Sequence, residues 1–508
     1  MSEDRDGVPG PGSSPEDGAD HGGAAGSGDH TAVRGDRFAG GPARGFMSSL
    51  AADDRIFAAD LAVDRAHVVM LAEQGILDPD EAGAILSALD DVAAAGHGSL
   101  PDGEDAHEAI ETAVIDSVGE AGGRMHTARS RNDEVATCIR HRFREDLLSA
   151  AEATVALREA LLSAAEDHAD TLMPGFTHAQ PAQPTTVGHW LCSYESALAR
   201  DTARLLDAYD RTNRSPLGAA AFAGTPFDVD RERTAELLGF DGVVDNATDA
   251  VTARDFLVEG VAAMANLATT LSGLSTDLIG FARDGYVDLD DDYASTSSIM
   301  PQKKNPDSLE LARATAGDAA AGLNGLLTTL KGLPRAYNRD LQRATPHAWE
   351  AVDAVTEATE IAAGAVATAE WNRHELAAAA GDGFSTATGV ADALAMGGVP
   401  FRTAHRIVAR VAELGMGGDY GAVKAVAEEE LDEPLETYVS RETVEAAMDP
   451  ASNVAGRDSA GGPAPSEVEA AVDDASEALG ADAGAVEDRR IALESAENRL
   501  DAAVSEYV

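Results

Sequence analysis

One uninterrupted stretch decides the fold class: residues 135–171, which read VATCIRHRFREDLLSAAEATVALREALLSAAEDHADT. The stretch contains neither glycine nor proline, the residues that most often end a helix. Its apolar side chains recur every four, seven or eight residues, at Val135, Ile139, Phe143, Leu147, Val155 and Leu162. Because side chains at these spacings lie on one face of an α-helix, the stretch predicts a single long amphipathic helix.

A second long helix is predicted for residues 255–283. Apolar residues follow the same helical spacing there, at Val261, Met264, Leu267, Leu271, Leu274 and Leu278. At about 1.5 Å per residue this helix is roughly 40 Å long, a length typical of helical bundles and oligomeric helical cores. No convincing run of alternating apolar and polar residues predicts strands. We therefore expect an all-α fold.

The composition along the chain suggests four regions. The first thirty residues are rich in glycine, aspartate, serine and proline, and they contain no aromatic residue. A Gly-rich shift at 381–384 marks a further change. We predict a disordered tail, an N-terminal helical domain, a central long-helix domain, and a small C-terminal helical domain with an acidic tail, at 1–30, 31–130, 131–382 and 383–508.

The charge of the chain restricts its partners. Lys+Arg 38 against Asp+Glu 89 gives a net charge of −51, while 44% hydrophobic residues indicate a folded protein. Nucleic acids and anionic membranes bind basic surfaces, so we expect neither as a partner. At 1 M salt the screening length is only about 3 Å, which suppresses self-repulsion. The sequence therefore predicts a protein of a salt-rich cytoplasm that needs high salt to stay folded.

The compartment is predicted from three further features. The two cysteines, Cys138 and Cys192, lie in helical patterns, so we expect buried thiols rather than a disulfide framework. We find no run of 18 apolar residues and no apolar segment of the kind found in secretory signals. These features predict a cytoplasmic protein without a membrane span.

Lysine usage draws attention to one loop. The chain has four lysines, and two of them, Lys303 and Lys304, are adjacent in SSIMPQKKNPDSLE, residues 297–310. Asn305 and Pro306 fit the N-cap and first position of a following helix, whose N-terminus attracts anions. The loop therefore predicts a carboxylate-binding site. The alternative is an ordinary loop between prolines with two solvated lysines.

A second motif, HTARSRNDE at 126–134, places two arginines before a predicted helix. Arg129 and Arg131 flank Ser130, and either Ser130 or Asn132 fits the N-cap. Guanidinium groups bind carboxylates through paired hydrogen bonds. The alternative is a well-capped helix with two surface arginines.

Two polar turns complete the pattern. Residues 175–186, GFTHAQPAQPTT, place Thr177 and His178 in a proline-rich turn, where a histidine could transfer protons or be purely structural. Residues 333–342, LPRAYNRDLQ, offer Tyr337 and Gln342, unless this is an ordinary polar loop. Together the four motifs predict a site for a small polyanion. We find no phosphate-binding loop, dinucleotide fingerprint or Cys/His metal spacing, so we expect no metal and no cofactor.

The loop SSIMPQKKNP resembles the signature of the fumarase/aspartase superfamily, whose members eliminate fumarate from succinyl-containing substrates. Within it, HTARSRNDE, PGFTHAQPAQP, MPQKKNPDSLEL and LKGLPRAYNRDLQ look like the argininosuccinate lyase family, and the likeness runs from about residue 33 to about residue 468. The resemblance implies an all-α long-helix bundle, a homotetramer with a multi-helix central core, and sites built from three subunits. It also implies the cleavage of argininosuccinate to arginine and fumarate without a cofactor, the last step of arginine biosynthesis.

The resemblance implies roles for particular residues. Ser297 matches a catalytic serine on a mobile loop, His178 a catalytic histidine, and Glu310 an acid that orients the histidine. It favours Ser297 as the base and leaves open whether His178 is the acid or polarises the site. The implied substrate contacts are Ser49, Arg131, Asn132, Thr177, Lys303, Asn305, Tyr337 and Gln342.

Three positions depart from the family pattern. Ala128 and Thr296 stand where glycine is usual, and Thr345 stands where a substrate-binding lysine is usual, with Arg343 as a possible substitute for the missing charge. Two alternatives remain at this stage: an enzyme of the adenylosuccinate lyase type, and a non-catalytic structural relative of the crystallin kind.

Overall fold

The computed structural model describes residues 42–508, so the tail predicted at 1–30 lies outside the described residues. The described chain contains eighteen α-helices: α1 Pro42–Met47, α2 Phe57–Glu73, α3 Pro79–Ala95, α4 Ala106–Val118, α5 Arg131–Asp167, α6 Val187–Thr212, α7 Arg231–Leu237, α8 Ala247–Thr252, α9 Asp255–Arg283, α10 Asp307–Leu330, α11 Thr345–Ala367, α12 Arg373–Ala380, α13 Ala387–Met396, α14 Phe401–Glu413, α15 Tyr420–Glu430, α16 Arg441–Met448, α17 Pro450–Ala455 and α18 Pro465–Val504. Its short strands are β1 Leu172–Thr177, β2 Gln180–Thr186, β3 Val287–Asp288, β4 Ser295–Thr296, β5 Lys304–Asn305 and β6 Glu370–Trp371.

Both long helices predicted from periodicity are confirmed. Helix α9 begins and ends at the predicted residues, and α5 begins four residues before the predicted start and ends four before the predicted end. Ser130 is the N-cap of α5: its hydroxyl accepts a hydrogen bond from the Asn132 N–H, and the Asp133 carboxylate accepts one from the Ser130 N–H. This reciprocal cap fixes the start of α5 and thereby the direction of the arginines beside it.

The long helices form one bundle, which confirms the all-α expectation. Helix α5 packs against α6, α11 and α18, and α9 packs against α6, α10 and α11. Their apolar faces share one core that includes Phe143, Leu147, Leu267, Leu271 and Val355. Burial of these faces is the main source of stability for helices of this kind.

Helix α9 is the one described helix that is long and apolar enough to cross a membrane by length and composition alone. The helix meets this limit by its mean hydropathy, and it contains no unbroken run of 18 apolar residues. Half of the apolar window of α9 is buried within the protein, where it contacts three other helices. The core helix of a bundle meets the same criterion, and packing in the described chain places α9 in that class.

The expectation of no strands was wrong. Strands β1 and β2 form an antiparallel hairpin in which Leu172 pairs with Thr186 and Thr177 with Gln180. Prolines in this segment prevent a helix, and its ends pair across a two-residue turn instead. Two further two-residue ladders join β3 with β6 and β4 with β5.

Two smaller hydrophobic clusters flank the bundle. One lies among α2, α3 and α4, around Met70 and Leu86, and the other lies among α13 to α16, around Leu394 and Ile407. Helix α18 returns to pack on α5, α6, α2 and α7. The acidic C-terminal helix thus packs with the bundle rather than with α13 to α16, and the division into four regions stays a prediction.

Candidate active site

A cavity of about 310 Å³ lies where the first turn of α5 meets residues 48–56 and 337–349. Five of the predicted substrate contacts line it: Ser49, Arg131, Asn132, Tyr337 and Gln342. Cavities of this size are at the lower end of those that bind small molecules. The fold therefore brings together groups from three distant parts of the sequence.

Neighbouring groups orient four of these side chains. The Arg131 guanidinium lies 3.2 Å from Asp105, which itself caps α4. Asn132 donates to the Ala221 carbonyl at 3.0 Å, and Gln342 donates to the Met47 carbonyl at 3.1 Å. Ser49 donates to Asp53 at 2.8 Å. These bonds hold the polar groups in the wall of the cavity before any ligand arrives.

Further residues of the cavity wall were missed from the sequence. They are the acids Asp53 and Asp105, the buried base His107, and Arg254, which is the N-cap of α9. No local motif marks them, because each lies at or near a helix end whose neighbours are ordinary helix formers. Only the position of Arg254 directly before a long apolar helix was a signal.

His107 lines the cavity, and its imidazole is paired with buried acids. Its Nδ1 lies 2.7 Å from Asp60 and 3.7 Å from Glu134. Burial alone would lower the pKa of His107, but the two carboxylates raise it well above the usual value. His107 therefore contributes a positive charge to the wall of the cavity.

Arg129 takes a different place from the one its motif suggested. Its buried guanidinium lies 2.5 Å from Asp64 and 3.1 Å from Glu134, behind the cavity rather than in its wall. The hypothesis that both arginines of the motif serve a ligand was therefore wrong for Arg129. Capping by Ser130 turns Arg131 towards the cavity and leaves Arg129 in the protein interior.

The same buried region contains two groups of potential metal ligands, Asp60 with His107 and Cys138, and Asp60 with Asp64 and Glu134. Within each group the ligand atoms lie within 4.8 Å of one another. However, Arg129 and His107 already neutralise these carboxylates through ion pairs. We interpret the cluster as a buried ion-pair network between α2, α4 and α5.

The catalytic candidates of the β1–β2 hairpin lie at its tip. Thr177 and His178 are exposed, and His178 and Ala179 form the two-residue turn with φ of 53° and 56°. Such left-handed values are costly for residues with a side chain and are often found at functional sites. Neither Thr177 nor His178 lines the cavity of its own chain.

The loop between β4 and β5 positions the Ser297 hydroxyl. The Ser297 Oγ accepts hydrogen bonds from the N–H groups of Ile299 and Met300, at 3.3 and 3.1 Å. The Ser297 N–H donates to the Lys303 carbonyl at 3.2 Å, which closes the loop. Two amide donors on one hydroxyl oxygen stabilise negative charge there.

The two adjacent lysines have different surroundings. Lys304 lies 2.9 Å from Asp291 and 3.2 Å from Asp288, whereas Lys303 donates to the Asn305 side chain and makes no ion pair with the described residues. The prediction that Asn305 caps the next helix was wrong: it pairs with Ser295 in the β4–β5 ladder, and Pro306 is the N-cap of α10.

The predicted site residues thus form three separate groups in one chain. Five line the cavity, Thr177 and His178 lie on the hairpin, and Ser297, Lys303, Asn305 and Glu310 lie on the loop and the first turn of α10. Glu310 and Lys303 are exposed, whereas Ser297 and Asn305 are half-buried.

Known lyases resemble this chain over most of its length. A family model described as lyase matches residues 45–320, and one described as argininosuccinate lyase C-terminal matches residues 384–455. The argininosuccinate lyase of Natronomonas pharaonis is 71% identical over 475 residues, which cover 94% of this chain and 96% of that relative. The chain belongs to the argininosuccinate lyase family. This membership confirms the resemblance seen in the motifs and makes the protein a carbon–nitrogen lyase.

Other members of the argininosuccinate lyase family and solved structures agree. The argininosuccinate lyase of Haloarcula marismortui is 64% identical and covers 97% of this chain and all of that relative. A crystal structure of EDDS lyase in complex with formate matches with a TM-score of 0.82 and 35% identity, over 92% of this chain and 96% of that one. A class II fumarase from Schistosoma mansoni, with a TM-score of 0.66 and 16% identity over 78% of this chain and 90% of that one, shares the fold. The halophilic relatives support the halophilic character predicted from the charge.

Proposed function

We propose that this protein catalyses the reversible elimination of argininosuccinate to L-arginine and fumarate, in the cytoplasm and as a homotetramer with shared active sites. The observation that supports this most is the separation of the site residues. The cavity collects five substrate contacts, while His178 and Ser297 lie on exposed segments that do not line it. Such a site is complete only when the segments of other copies cover the cavity.

The chemistry of the substrate suits these groups. Argininosuccinate carries three carboxylates, so an acidic protein has to provide cations at the site. Removal of a proton beside a carboxylate creates a carbanion whose charge spreads onto that carboxylate. Hydrogen-bond donors stabilise this charge most when they are held in position before the reaction. Lys303 and Asn305 are positioned for this role on the loop, and Arg131 and Asn132 in the cavity.

We assign proton abstraction to Ser297 and proton transfer at the departing guanidinium nitrogen to His178. A free serine hydroxyl is too weak a base, so its surroundings have to favour the alkoxide. The N–H groups of Ile299 and Met300, which both donate to Ser297 Oγ, provide such surroundings. Glu310 would orient His178 across a subunit boundary.

A direct assay tests the reaction. The protein is incubated with argininosuccinate in molar KCl, fumarate is followed by ultraviolet absorbance, and the second product is identified by chromatography. We expect fumarate and arginine in equal amounts. Turnover of adenylosuccinate instead would favour that alternative, and no product across a salt series with the fold intact would favour a non-catalytic relative.

A mixing experiment tests the shared site. The variants Arg131→Ala and Ser297→Ala are prepared separately, dissociated at low salt and reassociated together. We expect activity to return in the mixture, because some sites then receive an intact cavity and an intact loop. A mixture of Arg131→Ala with Asn132→Ala is the control, since both lesions lie in the same cavity. Equal recovery in both mixtures, or none in either, would contradict site sharing.

A further inference from the structure

The loop that carries Ser297 meets the bundle at one aromatic side chain. Leu289 and Leu309 are buried, and no residue from 290 to 308 is. Within that span Tyr293 is the one large side chain that packs against the core of the bundle, where it is half-buried. The contact made by Tyr293 is therefore the last hold of the bundle on the chain before Ser297.

Hydrogen bonds tie the backbone of Tyr293 to both sides. Its N–H donates to the Asp290 carbonyl at 3.1 Å, and its carbonyl accepts from the Ser308 hydroxyl in the first turn of α10. The β4–β5 ladder begins two residues later, at Ser295. Because only three residues separate Tyr293 from Ser297, a shift of the tyrosine is passed on to the ladder and to the Ser297 hydroxyl.

A glycine on α11 makes room for the tyrosine ring. Gly364 lies in the helix and does not have a positive φ, so its backbone conformation does not require glycine. A methyl group at this position would lie 2.6 Å from the Cε1 of Tyr293, and closer still to its Cζ and Oη. Ordinary contacts between carbon atoms are about 3.5–4.0 Å long. Since glycine is less favourable than alanine within a helix, the contact with Tyr293 gives a physical reason for Gly364.

We propose that Tyr293, seated against Gly364, is a positioning residue that sets where the loop places the Ser297 hydroxyl. The inference rests on the proposed role of Ser297 and adds the two residues that hold its loop against the bundle. Neither residue is assigned a contact with the substrate, so both act through the loop. Placement of a reacting group matters because an error of about 1 Å can cost about 100-fold in rate.

Substitution on α11 tests the proposal without changing the loop itself. Gly364→Ala takes away the space for the ring, and we expect kcat to fall by about 10- to 100-fold. Tyr293→Ala should cause a similar loss, and the double variant should lose no more than either single variant, because both changes remove one contact. Tyr293→Phe keeps the ring and should retain kcat within about threefold.

Gly484→Ala is the matched control. Gly484 is an exposed glycine of α18, and a methyl group added there has nothing within 4 Å. This variant should keep the wild-type kcat. Fumarate formation by the intact oligomer in molar KCl measures all five variants, with circular dichroism as the check on folding. A folded Gly364→Ala with the wild-type kcat, or a loss in Tyr293→Phe as large as in Tyr293→Ala, would overturn the inference.

A protease that cleaves after lysine reports the position of the loop independently of activity. Lys303 and Lys304 lie on the loop, whereas Lys331 follows α10 and Lys424 lies on α15. In Gly364→Ala and in the alanine variant of the tyrosine, we expect cleavage on the loop to accelerate about tenfold relative to the other two sites. Equal acceleration at all four lysines would overturn the inference, because the contact would then hold the whole fold and not the loop. Unchanged cleavage on the loop would overturn it as well.

Proteolysis and turnover separate this inference from the proposed function. Release of the loop in both variants of a protein that forms no fumarate contradicts the proposed reaction only. Fumarate formation with an unchanged kcat in both variants contradicts the positioning role only.

Discussion

Residues of the candidate site hold backbone conformations that glycine adopts more easily. Ala128, just before α5, has a φ of 64°, and His178 and Ala179 at the hairpin tip have 53° and 56°. A side chain in this region costs about 1–2 kcal/mol. At His178 the conformation exposes the imidazole at the end of a rigid hairpin, whereas at Ala128 it only reverses the chain before the helix.

Replacement of Ala128 by glycine should therefore stabilise the protein. In Ala128→Gly we expect the free energy of unfolding to rise by roughly 1 kcal/mol, because glycine adopts this φ without a steric penalty. The matched change Ala378→Gly, at an exposed position of α12, should lower it by about 1 kcal/mol. Urea unfolding in molar KCl measures both. Destabilisation in both variants would contradict the assignment of strain to Ala128.

The two adjacent lysines should differ in their contribution to activity. In Lys303→Ala we expect kcat/KM to fall by about 100-fold or more, because a donor to the developing charge is lost. In Lys304→Ala we expect a loss below about tenfold, since exposed ion pairs such as those with Asp288 and Asp291 contribute little. Fumarate formation measures both, with circular dichroism as the check on folding. Equal losses of kcat/KM in the two variants would contradict the different roles of Lys303 and Lys304.

Short elements hold the reactive segments in place. The β4–β5 ladder pairs Thr296 with Lys304 and closes the base of the loop that carries Ser297. Threonine is favoured in extended backbone, which gives a physical reason for its presence where the family usually has glycine. The loop is thus fixed at its base, while its tip at Ile299 is 82% exposed.

The ion-pair network between α2, α4 and α5 predicts a pH dependence. Burial raises the pKa of Glu111 on α4 to about 7, although Arg129 opposes the shift. Between about pH 4.5 and 7, Glu111 therefore keeps its proton in the folded protein but has lost it in the unfolded chain. Because the folded state binds more protons in this range, the wild type loses stability as the pH rises through it. In Glu111→Gln we expect a gain of about 2 kcal/mol at pH 8 that shrinks towards pH 5.

Urea unfolding of both proteins at several pH values in molar KCl measures this gain. The exposed Glu120→Gln is the control for the loss of one negative charge from the surface. A gain of Glu111→Gln that is constant from pH 5 to 8 would contradict a raised pKa in the folded protein.

At the scale of the whole molecule, charge decides the conditions of folding. The chain carries a net charge of −51, and its described acids far outnumber the arginines available to pair with them. Electrostatic repulsion between charges falls off over about 3 Å at 1 M salt but over about 10 Å at 0.1 M. Repulsion among the acids therefore grows when the salt is diluted. Folding therefore depends on the solvent as well as on the packed bundle.

We expect the melting temperature to fall by on the order of 10 °C or more when KCl is lowered from molar concentration to about 0.1 M. Calorimetry or circular dichroism measures the change. Sucrose in place of salt is the control, because it strengthens burial without screening charge. An unchanged melting temperature in dilute buffer, or full rescue by sucrose, would contradict charge screening as the cause.

The sequence by itself determined the long helices α5 and α9, a helix cap at Ser130 or Asn132, and the breaks that contain the motifs. These depend on contacts between residues a few positions apart, which a linear pattern records. Only the tertiary structure decided that Arg131 and not Arg129 faces the cavity, that Asp53, His107 and Arg254 share it, and that His178 and Ser297 lie apart from it in one chain. Burial and charge pairing depend on groups that are remote in the sequence, so no local pattern contains them.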